Sequence, residues 1–203
     1  MKNAGMAIFC RAVIAPPHAK QEKPMFKKIL IALVVIVTVF AAIVARQPAD
    51  FRIERSITIT APAEAVYEQV NDFHKWAAWS PWEKLDPTMQ RTYEGASAGF
   101  GAIYSWTGNK AVGAGRMTLT ETHPPLSLMI KLEFLKPFKA TNMAEFTFKP
   151  DGNQTRVTWA MTGRNNFISR AFCMFINMDK MVGGDFEKGL AQLKAVSETP
   201  PQP

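Results

Sequence analysis

LSLMIKLEFL, residues 126–135, alternates with a period of two. Leu128, Ile130, Leu132 and Phe134 share one face, and Ser127, Lys131 and Glu133 lie opposite. Successive side chains of a strand point to opposite sides of a sheet, so this run predicts a strand with one buried face. Pro124-Pro125 before it and Pro137 after it mark turns. Working outward, the same period predicts strands at 89–94, 102–107, 114–123, 141–149 and 155–162. In the last of these Val157, Trp159 and Met161 face inward. Gly99, Gly101, Gly108-Asn109 and Pro150-Asp151-Gly152-Asn153 fall between the runs, where turns belong. Six consecutive strands joined by short turns predict an antiparallel meander. Upstream, IERSITIT at 53–60 alternates as well and adds a seventh strand.

Two helical regions complete the pattern. Pro62 suits the first turn of a helix over 61–70. Asn71-Asp72 reads as a stop and a new cap, so 72–79 predicts a second short helix that Pro81 ends. Residues 166–196 return to helical spacing. Ile168, Phe172, Phe175, Asp179, Val182, Phe186, Leu190 and Leu193 fall on one stripe, which predicts one long helix; Gly183-Gly184 interrupts the stripe and is expected either to kink the helix or to let it approach the sheet closely.

The N-terminal third is different in kind. ILIALVVIVTVFAAIVA, residues 29–45, holds no charge and one hydroxyl, Thr38. Seventeen residues is the short end of a membrane span and long for the apolar part of a cleaved signal. A single-pass signal-anchor over 26–46 is the expectation, with secretion after cleavage as the alternative. Lys27 and Lys28 before the run outweigh Arg46 after it, so the N-terminus is expected inside and the domain outside the inner membrane, in the periplasm. Residues 1–25 read as a cytoplasmic extension, and Met25-Phe26-Lys27-Lys28 reads as an alternative start. The globular domain is expected over 47–198, followed by a disordered tail, 199–203.

The charge divides along the same boundary. Residues 1–46 hold seven of the 24 Lys and Arg against one acid, Glu22. The remainder holds 17 basic and 16 acidic residues and has no excess to attract a polyphosphate, so nucleic acid is not an expected partner. Cys10 and Cys173 are the only cysteines and lie on opposite sides of the apolar run. His18, His74 and His123 are scattered without ligand spacing. Neither a metal site nor a cofactor is expected.

The order of strand, two short helices, six strands and a long helix resembles the helix-grip α+β fold of the START and birch-pollen-allergen superfamily (SRPBCC), in its polyketide cyclase/dehydrase-like branch with an N-terminal membrane segment. The resemblance covers about residues 52–197. It rests on Trp79-Ser80-Pro81-Trp82, Tyr93-Glu94-Gly95 with Gly99 and Gly101, Trp106, Gly113 and Gly115, Thr155-Arg156-Val157-Thr158-Trp159, and Asp185-Phe186-Glu187-Lys188-Gly189-Leu190. It implies a curved sheet of about seven strands wrapped around the C-terminal helix, with a cavity between them. Parity and stripe then place Trp79, Trp82, Trp106, Met117, Leu119, Ile130, Phe134, Phe146, Phe148, Trp159 and Met161 at that cavity, with Phe172, Phe175, Met178 and Val182 from the helix.

Trp76, Trp79 and Trp82 crowd seven positions. They either plug the gap between short helices and sheet, roof the cavity mouth, or dip into a membrane interface. No catalytic set stands out. Asp179 on the apolar stripe and Glu121 on the inward parity of its strand are weak acid/base candidates. Asp179 is expected to reach solvent and pair with an Arg. Three readings follow: a membrane-anchored binder of a hydrophobic small molecule or lipid, a cyclase- or dehydratase-like enzyme on an apolar substrate, or an interaction module presenting the tryptophans of 76–82 to an unidentified protein.

Overall fold

A computed structural model describes residues 23–199. The expected extension, 1–25, falls largely, and the tail almost wholly, outside the described residues. The chain divides into two units, one up to residue 43 and one from residue 44 onward. Helix α1, Lys23–Arg46, carries the apolar run. Its Ile31, Val34, Ile36 and Val39 are all more than half exposed. The single hydroxyl in the run, Thr38, donates to the Val34 carbonyl at 2.8 Å, so its polarity is satisfied within the helix.

The second unit is built on seven strands: β1 Asp50–Ile59, β2 Gln90–Gly95, β3 Ala102–Thr107, β4 Ala114–His123, β5 Ser127–Lys136, β6 Ala140–Asp151 and β7 Gln154–Arg164. Their order is β1-β7-β6-β5-β4-β3-β2, antiparallel throughout. The six predicted consecutive strands therefore pair as a meander, and β1 closes the far edge against β7.

The register arranges inward side chains in rows. Phe148 lies opposite Val157, and Phe146 lies opposite both Leu128 and Trp159. Ala144 is opposite Ile130 and Met161, and Ile130 is opposite Leu119. Beyond these come Met117 with Leu132, and Gly115 with Phe134. Leu119, Leu128, Ile130, Phe146, Phe148 and Val157 are almost fully buried. Each such side chain contributes about 1.5–3 kcal/mol relative to exposure.

Helix α2, Ala63–Asn71, covers the first rows with Val66, Tyr67 and Val70. A 3-10 helix, Phe73–Ala78, follows at once, capped by the Asp72 carboxylate accepting from the His74 amide. Helix α4, Met178–Glu198, lies along β1 and lays Phe186, Leu190 and Leu193 on the core. Ion pairs and a hydrogen bond tie it to β1 and the residue after it. Arg55 of β1 reaches Asp179 at 3.0 Å and Glu187 at 2.7 Å, and Glu198 accepts from the Thr60 amide.

The long C-terminal helix differs from the expectation. It is two helices, α3 Phe167–Cys173 and α4, parted at residues 174–177. The reason is local. Asn166 and Asn177 each turn their side chain to an amide three residues on, so each begins its own helix. Of the two expectations for Gly183-Gly184, the helix runs on through the pair without a break, and the close approach to the sheet holds. Gly183 sits inside α4 where a Cβ would overlap the Arg55 guanidinium, so it is the close approach to β1 that needs glycine there.

Candidate functional site

The tryptophan stretch divides into plug and wall. Trp76 donates to the Val70 carbonyl at 2.9 Å, and Trp79 donates to the Gln69 carbonyl at 3.0 Å. These are last-turn carbonyls of α2 that the helix itself leaves unpaired. The two indoles thus cap α2 and fill the space under it, and both are buried. Trp82 comes after the 3-10 helix has ended. It stands edge-on to Trp159 at 5.6 Å and to Phe186 at 6.4 Å. Trp159 stacks flat on Phe186 at 4.1 Å. The reading of 76–82 as an exposed tryptophan patch for a protein partner is therefore corrected: Trp76 and Trp79 are occupied inside the fold.

Beyond this wall the inward face is not filled. A cavity of about 290 Å³, partly open to solvent, lies between the sheet and α4. Of the residues expected there, Trp82, Trp106, Met117, Phe134, Trp159, Met161 and Val182 line it. Trp79, Leu119, Ile130, Phe146 and Phe148 face inward as expected, but they belong to the packed rows and leave no space. Met178 is half-buried against the core rather than on the cavity. Phe172 and Phe175 are corrected: they are 62% and 78% exposed. The break before α4 changes the phase of the stripe, so residues ahead of it face elsewhere.

Several lining residues were missed: Trp76, Ser80, Glu83, Met89, Tyr104, Ala111, Val112, Leu132, Ala144, Met181, Asp185 and Phe186. Tyr104, Leu132, Ala144 and Phe186 share parity or stripe with residues that were named, so a signal for them existed. Glu83 lies in a loop and has none.

Glu83 is the notable polar member of the wall. Its carboxylate, 7% exposed, accepts from the Tyr104 hydroxyl at 2.5 Å and from Arg91 Nε at 2.7 Å. Arg91 also donates to the Met89 carbonyl. Burial, then the bond to Glu83, pushes the Tyr104 phenol far above its ordinary range, so it remains a neutral donor. The bond to Glu83 likewise raises the Arg91 guanidinium. A neighbouring carboxylate, Asp86, is buried and accepts from the Thr88 hydroxyl and the Asn109 amide, which hold it below the usual carboxylate range. It ties the loop after Trp82 to the β3–β4 turn. Gly113 ends that turn at φ +64°, where a Cβ would overlap the Lys136 carbonyl. The Trp159 indole N–H is buried without a hydrogen-bond partner among the described residues.

Both weak acid/base candidates stand away from the cavity. Asp179 is an exposed partner of Arg55, whose hydrogen bonds hold it below the usual carboxylate range. This matches the expected solvent-facing pair with an Arg. Glu121 is exposed because β4 slips register between Leu119 and Glu121, so the extra residue turns it outward. Among the described residues there is no group of three or more His, Cys, Asp and Glu that would hold a metal ion.

A seven-stranded antiparallel sheet gripping a C-terminal helix around an apolar cavity defines a helix-grip protein of the SRPBCC type. The family model described as polyketide cyclase / dehydrase and lipid transport matches residues 50–198, and the chain belongs to that family. No curated protein matches the chain. The fold is similar to that of protein CV1439 from Chromobacterium violaceum, at 16% identity and a TM-score of 0.54, covering 76% of this chain and 100% of that one. It is also similar to the di-domain ARO/CYC BexL from the BE-7585A biosynthetic pathway, at 15% identity and a TM-score of 0.57, covering 78% of this chain and 53% of that one. A protein from Nitrosospira multiformis matches at 18% identity and a TM-score of 0.53, over 73% of this chain and 97% of that one. Among the described residues one helix, Met25–Arg46, is long and apolar enough to cross a membrane.

Proposed function

We propose that this protein binds a hydrophobic small molecule or lipid in the cavity between sheet and α4, and that residues 25–46 anchor it in the inner membrane with the domain in the periplasm. The observation that carries the reading is the cavity itself: about 290 Å³ walled by aromatic and methionine side chains. That is near the lower end of ligand sites and equals about ten waters' share of liquid volume, so the ligand is a small aromatic or short acyl group. Such a surface gains little from holding water and much from an apolar guest. The polar elements of the wall suit a ligand with one polar end. Tyr104 and Glu83 stand in the wall, and Trp159 holds a donor without an acceptor.

The test uses the full chain in nanodiscs, a fluorescent naphthylamine as probe, and native mass spectrometry for co-purified ligand. Saturable binding that is lost on filling the cavity with Ala144→Phe is the expected result. Undiminished binding in that variant would overturn the reading.

A cyclase- or dehydratase-like activity is the second reading, and one observation favours it. The Glu83–Tyr104 pair is a carboxylate accepting from a phenol in the cavity wall, an arrangement in which the carboxylate can take a proton from a bound substrate. Under this reading the reacting groups are Glu83 and Tyr104, not Asp179 or Glu121. Glu83→Gln separates the two: it keeps the cavity's shape and an acceptor for Tyr104, so a binder still shows saturable probe binding, whereas an enzyme's turnover is removed.

A further inference from the structure

The ends of the seven strands are not equivalent. At one end lie Asp50, Arg164, Ala140, Lys136, Ala114 and Thr107, which the ladders place side by side. This is where the chain enters the domain, three residues after α1 ends. Three residues span at most about 11 Å. Arg170 of α3 donates to the carbonyls of Ala45 and Gln47, which holds α3 beside that entry.

The entry end is also apolar and basic. Phe138 at the β5–β6 turn is 82% exposed and Ile168 on α3 is 78% exposed; Leu135, Phe172 and Met181 are each more than half exposed. Lys110, Lys136, Lys139, Arg164, Arg170 and Lys180 lie among them. The exposed acids there, Asp50 and Asp179, each face an Arg, and Asp86, which holds the β3–β4 turn, is buried. At the opposite end the turns 60–63, 95–101, 123–127 and 150–154 contain no Lys or Arg and one acid, Asp151. Phe100 and Leu126 are exposed there too, and Lys149 and Arg156 pair just inside the last of these turns, so what sets the entry end apart is the gathering of exposed apolar residues and cations beside the chain's entry. Exposed apolar side chains ringed by cations are the pattern that lies in a lipid headgroup layer and attracts anionic lipid. The cavity reaches this same end, because Val112, Phe134 and Met181 are in its lining.

We propose that the entry end docks on the bilayer, with α3 and the β3–β4 and β5–β6 turns in the interface, so that the cavity opens onto lipid and an apolar ligand enters it without crossing water. The occupant is the lipid surface rather than a protein, because the three-residue connection holds this end at the membrane and the cations complement anionic headgroups. The proposal rests on the anchor reading above.

The test uses the full chain carrying Cys10→Ser and Cys173→Ser in nanodiscs containing phosphatidylglycerol. Nitroxide labels are placed one at a time through Phe138→Cys, Ile168→Cys, Leu126→Cys and Ile36→Cys, and collisions with oxygen and with a nickel chelate are measured. The expected result is an oxygen-to-nickel ratio at 138 and 168 several-fold above that at 126, falling as salt rises. If 36 is oxygen-dominated while 138 and 168 match 126, docking is overturned and the anchor stands. If 36 is itself aqueous, the anchor reading fails and docking with it. If 138 and 168 are closed to both reagents, protein covers them, a second copy included, and the lipid proposal is overturned. Two independent label sites keep the result readable should one variant fold poorly.

Discussion

The inner face of the sheet has two halves made from the same kinds of residue, and only one of them is full. Along β6 the inward positions run Phe148, Phe146, Ala144. The first two are buried in the core beneath α2 and the tryptophan plug, while Ala144 lines the cavity. Along β5 they run Leu128, Ile130, then Leu132 and Phe134, and again the first two are packed and the last two face space. What separates the halves is covering. Trp76 and Trp79 descend from the 3-10 helix onto the first rows, while the later rows meet only the first turns of α4, and β6 offers a methyl group where it previously offered two phenyl rings. A cavity here is a consequence of one small residue and one missing layer.

The contrast can be broken from either side. Trp79→Ala removes the plug from the filled half and should cost about 3–5 kcal/mol by denaturant unfolding, the largest effect expected of any single change here. A loss below about 1 kcal/mol would mean that the two halves are equally loose. Met161→Ala, in the open half, should cost less than about 2 kcal/mol, because its neighbours on one side are already absent. Ala144→Phe should fill the void and lower probe affinity at least about tenfold, equivalent to about 1.4 kcal/mol. Its melting temperature should hold or rise, since the added ring enters space rather than packed atoms. A steep fall in stability would show that the space is not there.

Acid should reveal a smaller difference. Asp86, Asp179 and Glu198 are each held below the usual carboxylate range, Asp86 first by the Thr88 hydroxyl, Asp179 first by Arg55 and Glu198 first by the Thr60 amide. A carboxylate with a depressed folded-state pKa contributes stability that is present above its unfolded pKa and lost as pH falls through the folded one. Melting temperature should therefore decline below about pH 4. Asp86→Asn should lower it at neutral pH and flatten that decline. Asp179→Asn should have the least consequence for binding, with probe affinity changed by less than about twofold, because neither Asp179 nor its partner Arg55 lines the cavity. A larger change would return Asp179 to the site.

Legibility followed the range of the forces involved. Period two placed all seven strands within a few residues, because side-chain alternation is a property of the strand alone. The parity of Met117, Phe134 and Met161 carried through to the cavity. It failed at Glu121, where the slipped register reverses facing and no residue type announces it. The helical stripe failed at Phe172 and Phe175, since one capping asparagine, Asn177, was enough to restart the helix in a new phase. Glu83 was invisible: a lone acid in a loop is brought to the cavity only by Tyr104 and Arg91, 21 and eight positions away in the chain.

The sequence by itself determined the class of fold, the apolar segment ahead of it, the division of charge between the two, and which strand faces are apolar. These depend on periods and compositions that a chain carries in any conformation. Tertiary structure alone decided which inward residues pack and which line a space, that Phe138, Ile168 and Phe172 lie exposed near the chain's entry, and that Glu83 meets Tyr104. Those outcomes depend on which elements cover which rows, and covering is a relation between parts of the chain that are distant in sequence.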